Sequence, residues 1–225
     1  MHAIRLVCIM QRMPVLATPE RGRRTQAERR AATRAALLDA AIDCLVAEGY
    51  ANTTTRRIAE RAGVTPGALQ HHFASKAELL GQAIRQVRKG FGQEMLAHGP
   101  PDAPSIQARC EQLLDRMWEV HRGPFFQAST ELLVAARTDP ELHATLVEVQ
   151  HEAAALNTVA AHILYPEMAD EPGFAEVIDT GQAAIRGLAL LAFIDGPEAD
   201  ALWPAVRAHI IELSAEFIAK AEARP

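Results

Sequence analysis

Residues 53–80 read TTTRRIAERAGVTPGALQHHFASKAELL, and their pattern predicts two short helices joined by a tight turn. Thr54 caps the first helix in this prediction, because a threonine hydroxyl accepts one of the free N–H groups at a helix start. Gly63 ends that helix, since glycine adopts the left-handed conformation without steric strain. Thr65 caps the second helix and Pro66 takes its first position, where a missing N–H costs nothing. A pair of helices with this spacing is a helix-turn-helix.

The chemistry of these two helices distinguishes between two interpretations of the pair. An ordinary packed pair of helices would have the same spacing. However, residues 66–68 are all small, so the start of the second helix can approach another surface closely, and residues 70–72 carry polar side chains. The first helix begins at residues 54–57, where two threonines, two arginines and free N–H groups favour phosphate. These features favour a pair that binds DNA.

Residues 34–80 resemble the TetR family of bacterial transcriptional repressors. The positions that follow the family's pattern at its spacing are Gly49, Tyr50, Thr53, Thr54, Ile58, Ala59, Ala62, Gly63, Val64, Gly67, Leu69, His72, Phe73, Ser75, Lys76, Leu79 and Leu80. One position departs from the pattern, since the family usually has tyrosine where this chain has Gln70. That tyrosine commonly contacts the DNA backbone, so the role of this position is open. Glutamine can also bind adenine through two hydrogen bonds in the major groove.

The helix-turn-helix and the resemblance together predict the residues that contact a double-stranded DNA operator. Phosphate contacts are expected from Thr54, His72 and Lys76, with Lys76 an exposed point charge beside the start of the third helix. Contacts near base edges are expected from Thr55, Arg56, Pro66, Gly67, Gln70 and His71. Thr65 is also predicted to contact DNA.

The charge of the chain is divided unequally along its length. The 225 residues carry a net charge of −5, which on its own argues against nucleic acid. Residues 21–98, however, contain 13 lysines and arginines against 7 acidic residues, whereas residues 99–225 contain 8 against 20. A basic first part beside an acidic remainder indicates that one part meets DNA and the other does not. Solvated surfaces can also produce such an asymmetry.

The first residues allow more than one interpretation. Residues 1–20 are either a disordered arm or a misassigned start, with Met13 as the alternative first residue. Residues 21–34 contain six arginines and a Thr25–Glu28 capping box, which predicts the start of a helix. The arginines before this cap are expected to lie outside the core, either solvated or against DNA.

The sequence predicts an all-α chain with two domains. Residues 21–98 form the helix-turn-helix DNA-binding domain with a connecting helix, and a Gly-Pro-Pro run at 99–101 marks the boundary. Residues 99–225 form a C-terminal ligand-binding and dimerisation domain. Its last helix is predicted from about residue 202 to residue 223, with Pro204 tolerated in the first turn.

The last two helices predict a homodimer interface. Small residues on the first helix and large apolar residues on the second permit close packing, in the set Gly181, Ala184, Gly187, Leu188, Leu191, Ile210, Leu213 and Phe217. Packing within a single chain explains the same pattern. The resemblance favours dimerisation, since TetR-like repressors pair through a four-helix bundle of their last two helices. A dimer would hold two recognition helices about 34 Å apart on a palindrome.

A pocket for a small-molecule effector is implied by the resemblance. The candidate residues are the bulky cluster around the Gly-Pro break at 123–124, namely Met117, Trp118, His121, Phe125 and Phe126. Such a cluster more often forms a simple core than a pocket. The acidic balance of this half allows a cationic effector, while solvated carboxylates account for the balance equally well.

Enzyme and metal-binding functions find little support in the sequence, and no cofactor is predicted. Glu148 and His151 form a single Glu-x-x-His pair, whereas di-iron bundles need two pairs and two further carboxylates, so this pair is expected at the surface. Cys44 and Cys110 fall at apolar helix positions, which predicts small core residues and reduced thiols in a cytoplasmic protein. No apolar run is long enough for a membrane span.

The sequence therefore predicts a TetR-like repressor that binds a palindromic operator as a homodimer and is released by an unknown small-molecule effector. One alternative is a helical small-molecule-binding protein or enzyme without DNA binding. Another is an activator, which differs from a repressor in the position of its operator.

Overall fold

The computed structural model describes residues 25–97 and 99–224, and this part of the chain is helical without strands. Its helices are α1 (Gln26–Asn52), α2 (Thr55–Arg61), α3 (Pro66–His72), α4 (Lys76–Ala97), α5 (Ile106–His121), α6 (Pro124–Ala135), α7 (Pro140–Leu164), α8 (Phe174–Leu191) and α9 (Gly196–Glu222). The predicted all-α fold is confirmed. The arm predicted at residues 1–20 lies outside the described residues. Across the described ranges, no helix combines the length and the apolar composition that a membrane span requires.

The helix-turn-helix forms as the sequence predicts. The Thr54 hydroxyl accepts the N–H of Arg57 at 3.2 Å, which caps α2. The Thr65 hydroxyl accepts the N–H of Ala68 at 3.2 Å and caps α3 in the same way. Gly63 has a φ of 68°, the left-handed conformation that ends the first helix of the pair.

Local signals also set both ends of α1. The predicted capping box is present, because the Thr25 hydroxyl accepts the Glu28 N–H and the Glu28 carboxylate accepts the Thr25 N–H. Near the other end Gly49 has a φ of 71°, which interrupts the helical conformation three residues before the helix finishes. This interruption turns the chain towards α2.

The first core joins the helix-turn-helix to part of the C-terminal half. Its buried apolar side chains come from α1 to α4 and also from α6 and α7, among them Leu37, Leu45, Ile58, Leu69, Leu80, Ala128, Leu132, Leu142 and Val149. α4 packs along α7, and α1 packs against α6. A movement of α6 or α7 would therefore be transmitted directly to the helices that carry the residues predicted to contact DNA.

A second core lies between α5, α8 and α9. Trp118 and Trp203 stack with ring centroids 5.1 Å apart, and both side chains are buried. Asp115 fixes the polar edge of this stack, accepting the Trp203 indole N–H at 2.8 Å and pairing with Arg207 at 2.6 Å. Cys110 belongs to a third, smaller cluster, and Cys44 to the first core, as the sequence predicts for both cysteines.

The last helix begins earlier than the sequence predicts, and the prediction that Pro204 lies in its first turn is wrong. The Asp195 carboxylate accepts the Glu198 N–H at 3.0 Å and starts α9 at Gly196, so Pro204 falls inside the helix. A proline there removes one helix hydrogen bond. Trp203, directly before the proline, stacks on Trp118.

Candidate nucleic-acid interface

Most of the side chains predicted to contact DNA are exposed. Eight of the ten are exposed, namely Thr54, Thr55, Arg56, Thr65, Pro66, Gly67, Gln70 and His71. His72 and Lys76 are partly buried. The start of α2 and the outer face of α3 thus expose most of the predicted contacts.

The orientation of α3 is fixed by two buried side chains. Leu69 and Phe73 are each 2% exposed and lie in the first core. Because α3 has 3.6 residues per turn, burial of these positions directs Gln70 and His71 away from the core. These two side chains therefore project where a recognition helix would present them.

Arg34 contributes to the position of α3, a role that the sequence does not predict. Its guanidinium lies 4.6 Å from the centroid of the Phe73 ring and donates to the His72 carbonyl oxygen at 3.5 Å. A cation at a helix C-terminus is favourable because the last carbonyl groups lack partners. Arg34 is therefore a partly buried support of the helix-turn-helix. Residues 21–24 lie outside the described residues.

An open cleft extends the polar surface from α3 to the start of α1. The cleft has a volume of about 580 Å³ and is lined by Gln26, Arg29, Arg30, Thr33, His71 and His72. The four α1 residues are absent from the predicted contact set. Their spacing of 26, 29, 30 and 33 places them on one face of a helix, which is a signal the sequence contains.

The surroundings of His72 lower the pKa of its side chain. Burial lowers the pKa of the imidazole, and the positive charges of Arg30 and Arg34 lower it further, followed by that of His71. A nearby phosphate would act in the opposite direction, because a negative charge favours the protonated ring.

The prediction that Lys76 is an exposed point charge is wrong. Its ammonium group donates to the Tyr50 carbonyl oxygen at 3.0 Å and lies 3.7 Å from the centroid of the Tyr50 ring. Burial lowers the pKa of Lys76, while the charge of Asp139 opposes that shift. The side chain is half-buried because these contacts draw it towards α1. Its role as a DNA contact remains a prediction.

Tyr50 also connects the helix-turn-helix to the C-terminal half. Its backbone N–H donates to the Glu131 carboxylate at 2.9 Å, and its hydroxyl donates to Asp139 at 2.5 Å. Burial, followed by the hydrogen bond to Asp139, raises the pKa of Tyr50 to about 12. Glu131 lies on α6 and Asp139 caps α7, so both helices hold the end of α1.

Arg56 and Arg57 differ in their freedom to meet a phosphate. Arg56 pairs with Glu60 at 2.9 Å, and both side chains are well exposed, so solvent weakens the pair. Arg57 pairs with Glu48 of α1. Arg56 can therefore exchange its carboxylate for a phosphate at small cost, whereas Arg57 also ties α2 to α1.

The residues predicted for a ligand pocket fall into two groups. Met117, Trp118 and Phe126 belong to the second core, and the His121 ring lies 5.1 Å from the Phe126 ring. Phe125 packs instead against the first core, on the other side of α6. The structure therefore brings four of the five together, and their role in ligand binding remains a prediction.

The predicted dimer residues are likewise divided by their exposure. Ala184, Gly187 and Leu213 are exposed, and Leu191 and Phe217 are partly buried. Gly181, Leu188 and Ile210 are buried within the chain. The Ile210 side chain packs against Gly181, where an added Cβ would lie 3.2 Å from Ile210 Cγ2. Packing within the chain thus accounts for these buried members, and the dimer remains a prediction.

Comparison with known proteins identifies the family. The model of bacterial regulatory proteins of the tetR family matches residues 37–83, which include both helices of the helix-turn-helix. The chain is also 43% identical over 112 residues to the HTH-type transcriptional regulator TtgW of Pseudomonas putida, covering 50% of this chain and 79% of that protein. The chain belongs to the TetR family.

Other proteins resemble this TetR-family protein to different extents. The HTH-type transcriptional regulator Rv2912c of Mycobacterium tuberculosis is 36% identical over 130 residues, which cover 56% of this chain and 64% of that protein. The chain thus spans less than two thirds of that relative. The crystal structure of the multidrug binding protein EbrR complexed with ethidium has a TM-score of 0.55 at 24% identity, covering 83% of this chain and 98% of that one. This likeness concerns the fold.

Proposed function

We propose that this TetR-family protein is a transcriptional repressor that binds a palindromic operator as a homodimer and is released by a small-molecule effector. The observation that carries the proposal is the outer face of α3. Gln70 and His71 are exposed there, opposite the buried Leu69 and Phe73. A short helix anchored on one face and polar on the other is suited to the major groove.

The proposed contacts divide into two kinds. Gln70 and His71, together with Thr55 and Arg56, face base edges, whereas Thr54 and His72 bind phosphates. The cleft between α1 and α3 adds Arg29 and Arg30 to the phosphate contacts. Phosphate contacts fix the position of the protein on the duplex, and base contacts select the sequence.

Lys76 requires a rearrangement before it can bind phosphate. In the free protein its charge is already shared with the Tyr50 carbonyl oxygen and ring. It would have to leave these contacts to reach DNA. We therefore place Lys76 in the support of the interface and give the phosphate role to the exposed arginines.

Dimerisation is supported by large apolar side chains left exposed on the last two helices and the turn between them. These side chains are Leu190, Phe193, Ile194, Leu202 and Leu213. A second copy of the same surface would bury them, and symmetric dimers are the most frequent assembly. The dimer would also set the distance of about 34 Å between recognition helices that a palindrome requires.

The effector is expected to act through α6. This helix carries Phe126 in the second core and Glu131, whose carboxylate accepts the Tyr50 N–H. A ligand that moves α6 would thereby move the end of α1 and the helix-turn-helix with it. Repression is relieved only if the ligand binds the two arrangements with different affinity. A helical small-molecule binder without DNA binding remains the alternative function.

The proposal is tested by titrating the purified protein against a labelled duplex from upstream of its own gene, with an unrelated duplex as the control. We expect binding to the upstream duplex to be roughly a thousandfold tighter, and to weaken steeply with salt. Equal affinity for the two duplexes contradicts a specific repressor of its own gene. Failure to bind either duplex at low salt supports the alternative function.

A further inference from the structure

The cleft between α1 and α3 is lined by side chains that can all donate hydrogen bonds. They supply two guanidiniums, two imidazoles, an amide and a hydroxyl, and they are Gln26, Arg29, Arg30, Thr33, His71 and His72. The volume of the cleft is about 580 Å³. Among the described residues, its lining contains no carboxylate. A site with several donors and no acid is suited to an anion.

The two arginines of the cleft have no carboxylate partner in the part of the chain that the structure describes. Arg29 and Arg30 are both exposed. They form no ion pair there, whereas Arg56 and Arg57 of α2 each pair with a glutamate. An anion that enters the cleft can therefore meet two guanidiniums without displacing a carboxylate.

The acidic side chains of the surrounding helices have other partners. Glu28 of α1 accepts the backbone N–H of the residue that precedes this helix, at 2.8 Å. Glu60 of α2 pairs with Arg56 at 2.9 Å, and Glu78 of α4 accepts the Ala74 N–H at 2.8 Å. These contacts direct the three carboxylates to the helix starts and to α2, so the charge beside the cleft is positive.

His72 is the titratable group of the cleft that has cations closest to it. Burial lowers the pKa of its imidazole, and the charges of Arg30, Arg34 and then His71 lower it further. A helix C-terminus normally favours a protonated histidine, but here Arg34 already donates to the His72 carbonyl oxygen at 3.5 Å. In the free protein, therefore, the surroundings of the ring disfavour an added proton.

A DNA phosphate in the cleft would reverse this balance. Its negative charge would lie among the guanidiniums and close to the His72 ring, and an opposite charge favours the protonated imidazole. The protonated ring also donates from both nitrogens, whereas the neutral ring keeps one nitrogen as an acceptor. An acceptor cannot bond to a phosphate oxygen, so the protonated ring suits the phosphate better.

We propose that the cleft binds a phosphate of duplex DNA together with a proton that His72 takes up, so that operator binding is stronger at mildly acidic pH than at alkaline pH. The inference rests on the proposed function for its regulatory meaning. The sign follows from linkage, because the complex binds more protons than the separate molecules. The added affinity is fully present below the pKa of His72 in the free protein. It is lost as the pH rises through the higher pKa in the complex.

The test measures the affinity of the full-length protein for a labelled duplex of mixed sequence between pH 6 and pH 8 at constant salt, since phosphate contacts require no particular sequence. We expect the affinity to rise as the pH falls, by up to about tenfold per pH unit at the steepest point. His72→Gln keeps a hydrogen-bond donor but takes up no proton, so it should lose most of this dependence. The matched control, His143→Gln, removes an exposed histidine of α7 and should retain it.

Two results of this titration would overturn the assignment. The first is a wild-type affinity that stays the same across the pH range. The second is a His72→Gln variant that keeps the full pH dependence, with or without a loss of that dependence in His71→Gln. A variant that merely loses affinity at every pH, as a structural defect would produce, belongs to this second result because its slope is unchanged.

Proton uptake can also be observed directly from the NMR titration of the His72 ring, which His72→Gln assigns. Addition of the duplex should move the midpoint of this titration to higher pH. Arg30→Met should raise the midpoint of the free protein, because it removes a positive charge beside the ring. An unchanged midpoint in both experiments would contradict the proposal. Inorganic sulfate, at a concentration equal to that of the DNA phosphates, should have a smaller effect than the duplex, and an equal effect would overturn the assignment to DNA.

Comparison of two duplexes separates this inference from the proposed function. The affinities for the duplex from upstream of the gene and for the unrelated duplex are each measured at pH 6 and pH 8. Specific binding that does not change with pH would contradict this inference and leave the repressor in place. Binding that strengthens at pH 6 but is equal for the two duplexes would contradict the repressor of its own gene and support the phosphate site.

Discussion

Lys76 and Arg88 lie about three turns apart on α4, and the two cations differ in how the fold surrounds their charge. Lys76 has a carbonyl oxygen at 3.0 Å, an aromatic ring at 3.7 Å and the nearby charge of Asp139. Arg88 has a single neutral amide oxygen at 3.3 Å and a buried nitrogen without a partner among the described residues. The fold therefore satisfies the charge of Lys76 more fully than that of Arg88.

The largest expected effect comes from removing the satisfied cation. Lys76→Met loses a charged hydrogen bond and a cation–π contact, so we expect the free energy of unfolding to fall by about 2–3 kcal/mol. Urea denaturation measures the change, with Arg88→Met as the matched variant that should show no loss. If Lys76→Met were as stable as the wild type, the difference between the two cations would disappear.

The next effect concerns the glycine that precedes Tyr50. Gly49 has a φ of 71°, and an added Cβ would lie 3.1 Å from the Glu131 carboxylate oxygen. Gly49→Ala should therefore destabilise the protein by about 2 kcal/mol, from the positive φ that only glycine adopts readily and from the crowded carboxylate. Gly63→Ala is the control, because Gly63 has a similar φ of 68° and no atom within 4 Å of an added Cβ. Equal losses in the two variants would show that the Glu131 contact contributes nothing.

A smaller effect distinguishes base contacts from phosphate contacts. Gln70→Ala should weaken operator binding by about 1 kcal/mol, roughly fivefold, and relax the preference at one base pair. Arg29→Ala should instead weaken binding to all duplexes and lower the slope of affinity against salt by about one. Anisotropy titrations at several salt concentrations separate the two outcomes. If both variants changed affinity in the same sequence-independent way, Gln70 would not read bases.

The smallest effect is the pH dependence of stability at His121. Its pKa is lowered in the folded protein by burial and by Arg186 and Arg88, so below about pH 6.5 the unfolded chain binds more protons than the folded one. Stability should therefore fall as the pH drops below that value. The slope of the unfolding free energy against pH should be shallower in Arg88→Met than in the wild type, and shallower still in His121→Gln. Unfolding measured between neutral and mildly acidic pH checks this, and an unchanged slope in both variants would contradict it.

Short-range signals explain why the helix-turn-helix could be predicted from the sequence. The caps at Thr54 and Thr65 and the turn at Gly63 each depend on residues within three positions, so the sequence displays them directly. The outward direction of Gln70 follows from the apolar residues beside it. These local rules do not depend on the rest of the chain.

Long-range contacts explain what could not be predicted. Lys76 is drawn inward by Tyr50, 26 residues earlier, and the Tyr50 hydroxyl reaches Asp139, 89 residues later. Arg34 is held by Phe73 in the same manner. The early start of α9 depends on the cap at Asp195. This start could not be predicted because the sequence Asp-Gly-Pro at residues 195–197 is also typical of a turn. The sequence does give a sign of Arg88, because this charged residue interrupts the apolar face of α4 directly after Val87.

Selection from a library of random duplexes tests the central claim most directly, since it requires no knowledge of the operator. The wild-type protein should enrich a sequence with two inverted half-sites about one turn of DNA apart, as a dimer with two recognition helices requires. A double variant, Gln70→Ala with His71→Ala, should lose this enrichment while keeping weak, salt-sensitive binding. A wild-type selection that ends with the composition of the starting library would contradict the account of the protein as a sequence-specific repressor.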